Sequence, residues 1–124
     1  MNDLNIYAFA LPTVDGWLSG DDRVFVLRVV DDDGNAVDIS TATVSWALYH
    51  RPYNDDPTDA VLTGDDSSIE IVTDDRVDTT EGVFEVRIGS DATVDRWGQF
   101  WHRPRVEQVD GSVATWRGEI VVEA

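Results

Sequence analysis

Apolar side chains recur at every second position in short runs along this sequence, and clusters of Gly, Asp, Asn and Pro separate the runs. A period of two is the signature of strands with one buried face. Phe25, Leu27 and Val29 share one parity, with Val24, Val26 and Arg28 on the other. Val44, Trp46, Leu48 and His50 form a second apolar set, and Phe84, Val86 and Ile88 a third. Phe100, His102, Pro104 and Val106 form a fourth, and Trp116, Gly118, Ile120 and Val122 close the chain. Tyr7, Phe9 and Leu11 alternate more weakly. No helical pattern links consecutive runs, so a parallel α/β sheet is excluded. Only Ser90 to Arg96 reads as helical, about one or two turns, with Ser90 as cap and Asp91 in the first turn. The pattern predicts an all-β, antiparallel sandwich of about seven to eight strands.

The punctuation carries its own expectations. Pro12 to Gly20 reads as a turn, and Arg51 to Thr58, with its Pro, Asn and Asp residues, as a loop. Asp31-Asp32-Asp33-Gly34-Asn35 and Asp110-Gly111 read as hairpin turns, because Gly supplies the positive φ that tight turns need. Ala60 to Thr63 and Ile69 to Thr73 are short strands, with a polar connection over Asp74 to Gly82. Pro104 inside a strand pattern marks an edge or a bulge. The 124 residues make one domain: residues 1–19 as an N-terminal arm or extra strand, and residues 20–124 as the sandwich. Such an arm can add a strand to its own sheet or to a neighbour's.

Charge narrows the function. There are 25 acidic residues, 19 of them Asp, against 9 basic ones, all Arg, for a net charge of -16. Phosphate binding rests on clustered Lys and Arg, so nucleic acid is excluded as a partner. An anionic membrane surface is excluded on the same ground. Self-repulsion at low salt, relieved when molar salt shortens the Debye length to about 3 Å, suggests a salt-loving source. A GC-rich genome, which also favours Asp, Val and Arg over Lys, is the alternative. There is no Cys, which excludes disulfides and thiolate metal sites. Met1-Asn2-Asp3-Leu4 does not read as a secretory signal, and no apolar run approaches the roughly 20 residues of a membrane helix.

The order of landmarks is specific. Gly20-Asp21-Asp22 precedes a strand, and Asp33 to Ser40 leads into Trp46-Ala47-Leu48. Gly82-Val83-Phe84-Glu85-Val86 is followed by Ser90-Asp91-Ala92-Thr93. Gly98-Gln99-Phe100-Trp101-His102 then runs into Asp110-Gly111 and Thr115-Trp116-Arg117-Gly118. Over Gly20 to Val122 this resembles the small immunoglobulin-like β-sandwich proteins of tailed phages and prophages, similar to the N-terminal domain of phage baseplate upper proteins. The sequence departs from that pattern at Ser90-Asp91-Ala92-Thr93, which lacks a residue before Thr, at Pro104, and in its first 19 residues. The resemblance implies a sandwich fold and an assembly role in a particle, and a His at position 102 without catalysis.

The chemistry-bearing residues point the same way. His50 and His102 are the only histidines. His102 lies on an apolar parity and reads as a packed, hydrogen-bonded core residue, so no metal site and no general base is expected. Asp31 to Asp38 fails the calcium-loop template. With its glycine on Gly34, the first ligand position falls on Val29 and the bidentate acid on Ser40. No nucleophile elbow, phosphate loop or metalloprotease motif occurs. Among 25 acids, a carboxylate pair for glycoside hydrolysis is uninformative. Trp97, Phe100 and Trp101 beside Arg96, Arg103 and Arg105 have the composition of an interface hot spot. The candidate protein interface is therefore Trp17, Val24, Val26, Trp97, Trp101, Arg103 and Arg105. For Trp101, stacking over its own sheet on a neighbouring Arg is the competing reading.

These readings predict a non-enzymatic virion structural protein of a tailed virus, in the tail or baseplate region, whose host is a halophilic archaeon. It needs no cofactor, partners other virion proteins and copies of itself, and resides in the virion after assembly in the host cytoplasm. The alternative is a carbohydrate- or cell-surface-binding module with an exposed, flat Trp101 or Trp17.

Overall fold

The alternating runs become strands of facing sheets. A computed structural model describes residues 2–6, 13–52 and 56–124; the expected pairing of Tyr7, Phe9 and Leu11 lies outside the described residues. The strands are β1 (Asn2–Ile6), β2 (Val14–Leu18), β3 (Arg23–Val29), β4 (Thr43–Ser45), β5 (Ala47–Tyr49), β6 (Leu62–Thr63), β7 (Ile69–Val72), β8 (Val83–Ile88), β9 (Gly98–His102), β10 (Arg105–Glu107), β11 (Val113–Thr115) and β12 (Gly118–Glu123). One sheet has the order β1-β3-β8-β7 and the other β2-β12-β9-β5-β6. A three-stranded piece, β11-β10-β4, extends beyond the second.

That extension exists because three neighbouring strands break at one level. β4 and β5 part at Trp46, β9 and β10 at Arg103-Pro104, β11 and β12 at Trp116-Arg117. Pro104 has no N–H to give a ladder and locally ends the pairing. Its carbonyl instead accepts from the Trp116 N–H at 3.0 Å, and the Arg103 N–H donates to the Ala47 carbonyl at 2.8 Å. Pro104 therefore marks a break within an inner strand, not a sheet edge. Taking β1/β2, β4/β5, β9/β10 and β11/β12 each as one interrupted strand leaves eight. Their order, first-second-sixth-fifth facing first-eighth-seventh-third-fourth, is that of an immunoglobulin-like sandwich.

The first strand departs from the sequence reading twice. Its pairings are parallel, β1 with β3 and β2 with β12. A strand that passes between sheets enters neither by a hairpin, so nothing forces an antiparallel direction. Val14 to Leu18, expected in a turn, is strand β2. Val14 pairs with Ile120 and Trp17 with Val122, so three residues advance against two. Gly16, at φ 68°, absorbs the extra residue as a bulge. The bulge puts Val14 and Trp17 on one buried face at a three-residue spacing, which hides the strand from a period-two reading.

The core is set by the expected parities. Phe25, Leu27 and Val29 face inward with Phe84, Val86 and Ile88, against Leu48, Phe100, Ile120 and Val122. The helical expectation shrinks to a single 3-10 turn, Ser90–Ala92. Gly89, not Ser90, stands at its N-cap, and no side chain caps it. Further single turns lie at Pro57–Asp59 and Thr79–Glu81.

Between the sheets, Phe25 of β3 meets His102 of β9 with ring centroids 5.4 Å apart, and the Trp46 Nε1–H donates to His102 Nδ1 at 3.0 Å. Antibody domains join the same two strands by a disulfide packed on a Trp of the third strand. Here a cysteine-free aromatic triad occupies that place.

Candidate functional site

The sequence landmarks prove to be joints between distant elements. Thr93 Oγ1 accepts from the Gly20 N–H at 2.9 Å and donates to the Asp21 carbonyl at 3.3 Å, fastening the turn before β3 to the turn before β9. The Ser19 hydroxyl donates to the Thr93 carbonyl. Gly82 has φ 76°, and a Cβ there would stand 2.5 Å from the Val29 carbonyl oxygen and 2.8 Å from that of Val37. Both demands leave only glycine.

The histidines are placed for packing. His102 is fully buried, and desolvation pushes its pKa down to about 3. With Nδ1 accepting from Trp46, the neutral ring carries its proton on Nε2, which has no hydrogen-bond partner among the described residues. His50 is exposed and lays its ring against Phe100, centroids 5.2 Å apart. Among the described residues no group of three His, Cys, Asp or Glu side chains could hold a metal ion.

The acidic turns use their carboxylates on their own backbone. Asp31 Oδ1 accepts from the Asp33 and Asn35 N–H groups, both at 2.9 Å. Asp38 and Asp110 are held below the ordinary carboxylate range by the hydroxyl and N–H of Ser40 and Ser112 respectively. Asp74 is lowered by the Arg76 guanidinium beside it and the Arg76 N–H. These are the local bonds that make Asp a turn residue.

The seven interface candidates separate into four places. Trp17 is 2% exposed, a core residue whose indole N–H donates to the Asp21 carbonyl at 3.0 Å and whose ring lies under Arg23. Its burial removes it as a surface anchor. Val24 and Val26 are half-buried on the outer face of the β1-β3-β8-β7 sheet. Trp97, 59% exposed, stands in the loop before β9. Trp101, Arg103 and Arg105 come together on the outer side of the opposite sheet and its extension. Phe100 and Arg96 do not join them: Phe100 is in the core, and Arg96 donates to the Ala92 carbonyl at 2.6 Å.

Around Arg103 and Arg105 the surface is hollow. A recess of about 540 Å³ is lined by these two residues with Ser45, Ala47, Tyr49, Thr63 and Thr115, among others. Tyr49 pairs with Trp101 across β5 and β9, and Arg105 sits opposite both Ser45 and Thr115. The sequence reading missed Ser45, Ala47 and Tyr49, although they hold the parity opposite Trp46 and Leu48. Thr63 and Thr115 carry no such signal, since only the sheet order brings them here. Arg105 Nη2 donates to Glu107 Oε1 at 3.1 Å. A second hollow of about 370 Å³ lies between the β10–β11 hairpin and the end of β3, lined chiefly by Val29, Val37, Val106, Val113 and Trp116.

No protein-family model matches the chain, and no curated protein matches it. Among solved structures it is similar to the NK cell receptor Nkp44, a triggering partner in natural cytotoxicity. Identity is 16% and TM-score 0.47, over 94% of this chain and 98% of that one. It is also similar to the Ig1 domain of mouse SynCAM 2, with 12% identity and TM-score 0.43, over 94% of this chain and 91% of that one. The class rests on the strand order itself: an immunoglobulin-like β-sandwich.

Proposed function

We propose that this chain is a non-enzymatic structural protein of a tailed-virus particle, of its tail or baseplate region, in a virus of a halophilic archaeon. It acts by packing against other particle proteins and copies of itself. The observation that carries an assembly role is the division of the surface. Carboxylates crowd the turns, while Arg103 and Arg105 line a recess on one sheet side and half-buried Trp101 lies on that same side. Aromatic and Arg side chains gathered on one face are the composition of interface anchors. A non-catalytic reading is supported by the histidines, one sealed in the core and one stacked on Phe100. The placement in a tailed virus rests on the landmarks from Gly20 to Val122.

Purified particles test this reading. The chain is expected among their proteins at stoichiometric copy number. A chain that stays monomeric at molar salt and never co-purifies with particles overturns it. Glycan binding lost on Trp101→Ala would instead favour a carbohydrate-binding module.

A further inference from the structure

We infer that two copies of this chain pair edge to edge through β11, antiparallel about a two-fold axis at Ala114. The inference rests on the assembly reading and names the contact through which copies join.

Strand β11 ends the β11-β10-β4 piece. The hairpin's own bonds fix what its open side offers. The Gln108 N–H donates to the Ser112 carbonyl at 2.8 Å beside the turn, and the Trp116 N–H to the Pro104 carbonyl at 3.0 Å at the base. Bonded pairs alternate along an antiparallel ladder, so between these two Ala114 exchanges its bonds with Val106. The N–H and C=O groups of Val113 and Thr115 therefore point away from β10, and among the described residues nothing bonds to them. Val113 is 47% exposed, and Ala114 is exposed as well.

An unpaired edge is a template for another strand. Most other edges of the described sheets are charged or too short: β1, β2 and β7 carry Asp3, Asp15 and Glu70, and β6 has 2 residues. Strand β4 is uncharged, but the same alternation turns only Val44 to its open side. Val113-Ala114-Thr115 holds no charge and opens both its outer residues. The flanking charges on β10, Arg105 and Glu107, are paired with each other.

A second copy of the same strand fits this edge. With Ala114 opposite its own mate, Val113 faces Thr115 on either side of the axis, and every free N–H meets a C=O. Moving the axis to Val113 sets Thr115 against Gly111 of the turn and wastes these groups. The contact brings no carboxylates together, and molar salt screens the repulsion between two bodies of -16 charge.

Cross-linking reads the register, because the chain has no Cys. The paired Ala114 Cα atoms would stand about 4.5 Å apart, a gap that a disulfide spans. In about molar KCl with oxidised glutathione, Ala114→Cys is expected to form covalent dimers at least about tenfold faster than Val109→Cys. Val109 is 80% exposed at the hairpin tip, and the two tips lie at opposite ends of the pair. Sedimentation of the wild type over a concentration series is expected to show self-association, and Thr115→Pro to weaken it at least about tenfold. The N–H lost there lies on the open side, where an edge strand tolerates proline. Should Thr115→Pro disturb the fold by circular dichroism, Ala114→Asp sets like charges face to face on the axis and is expected to weaken association at least about threefold. A monomeric wild type, equal cross-linking of the two Cys variants, or undiminished association of the folded variant overturns the contact. A monomeric chain present in particles overturns only this inference. A cross-linking pair absent from particles overturns only the virion reading.

Discussion

His102 shows how one side chain ties the fold to pH. Burial depresses its folded pKa to about 3, against 6.5 for an ordinary histidine. Between those values the unfolded chain binds a proton that the folded chain does not. Stability therefore rises with pH through this window and is lost as pH falls below 6.5. From pH 7 to pH 5 the loss amounts to about 2 kcal/mol. Urea unfolding of wild type and His102→Gln at both pH values should show this difference in the wild type alone. The carboxylates held low by their turns titrate below this range, so they leave the comparison clean. Gly82→Ala tests a second joint. Left-handed backbone costs a side chain about 1–2 kcal/mol, and the Val29 carbonyl would have to move as well. A loss of at least about 2 kcal/mol in denaturant unfolding is expected, and an unchanged midpoint would contradict the close approach.

At the scale of elements, Thr93 makes the test. Thr93→Val keeps shape and burial but leaves the Gly20 N–H without its acceptor. The expected cost is about 1–3 kcal/mol, with faster amide exchange at Gly20, and a protected Gly20 amide would show that the joint carries no weight. Strands with an unbroken period of two were legible from sequence: β3 lies where the alternation of Phe25, Leu27 and Val29 places it, and β8 where that of Phe84, Val86 and Ile88 does. Strand β2 was not, because the bulge at Gly16 replaces the two-residue period with a three-residue step. The breaks at Trp46 and Trp116 were equally silent, since they come from neighbouring strands responding together to Pro104. The same division holds for the recess. Arg103 and Arg105 follow from parity, whereas Thr63 and Thr115 follow only from which strands become neighbours.

For the whole molecule the governing quantity is the -16 charge, carried mostly by turns at the surface. Such a coat destabilises the compact state by self-repulsion when the Debye length is long. Two origins of the acidity predict different salt curves. If the Asp excess reflects genome composition alone, relief follows screening and levels off once the Debye length falls to about 3 Å, near 1 M. If the surface is adapted to brine, stability keeps climbing beyond that, where hydration of the carboxylates matters after screening is spent. The halophile reading predicts the second curve. Between about 1 M and several molar KCl, the gain should be at least about 1 kcal/mol, a rise of about 4 °C in Tm for a domain of this size. Thermal unfolding followed by circular dichroism across that range decides it. A plateau reached by about 1 M, with the fold intact in dilute buffer, would leave the acidity as a mark of composition and remove the salt-loving host from the proposal.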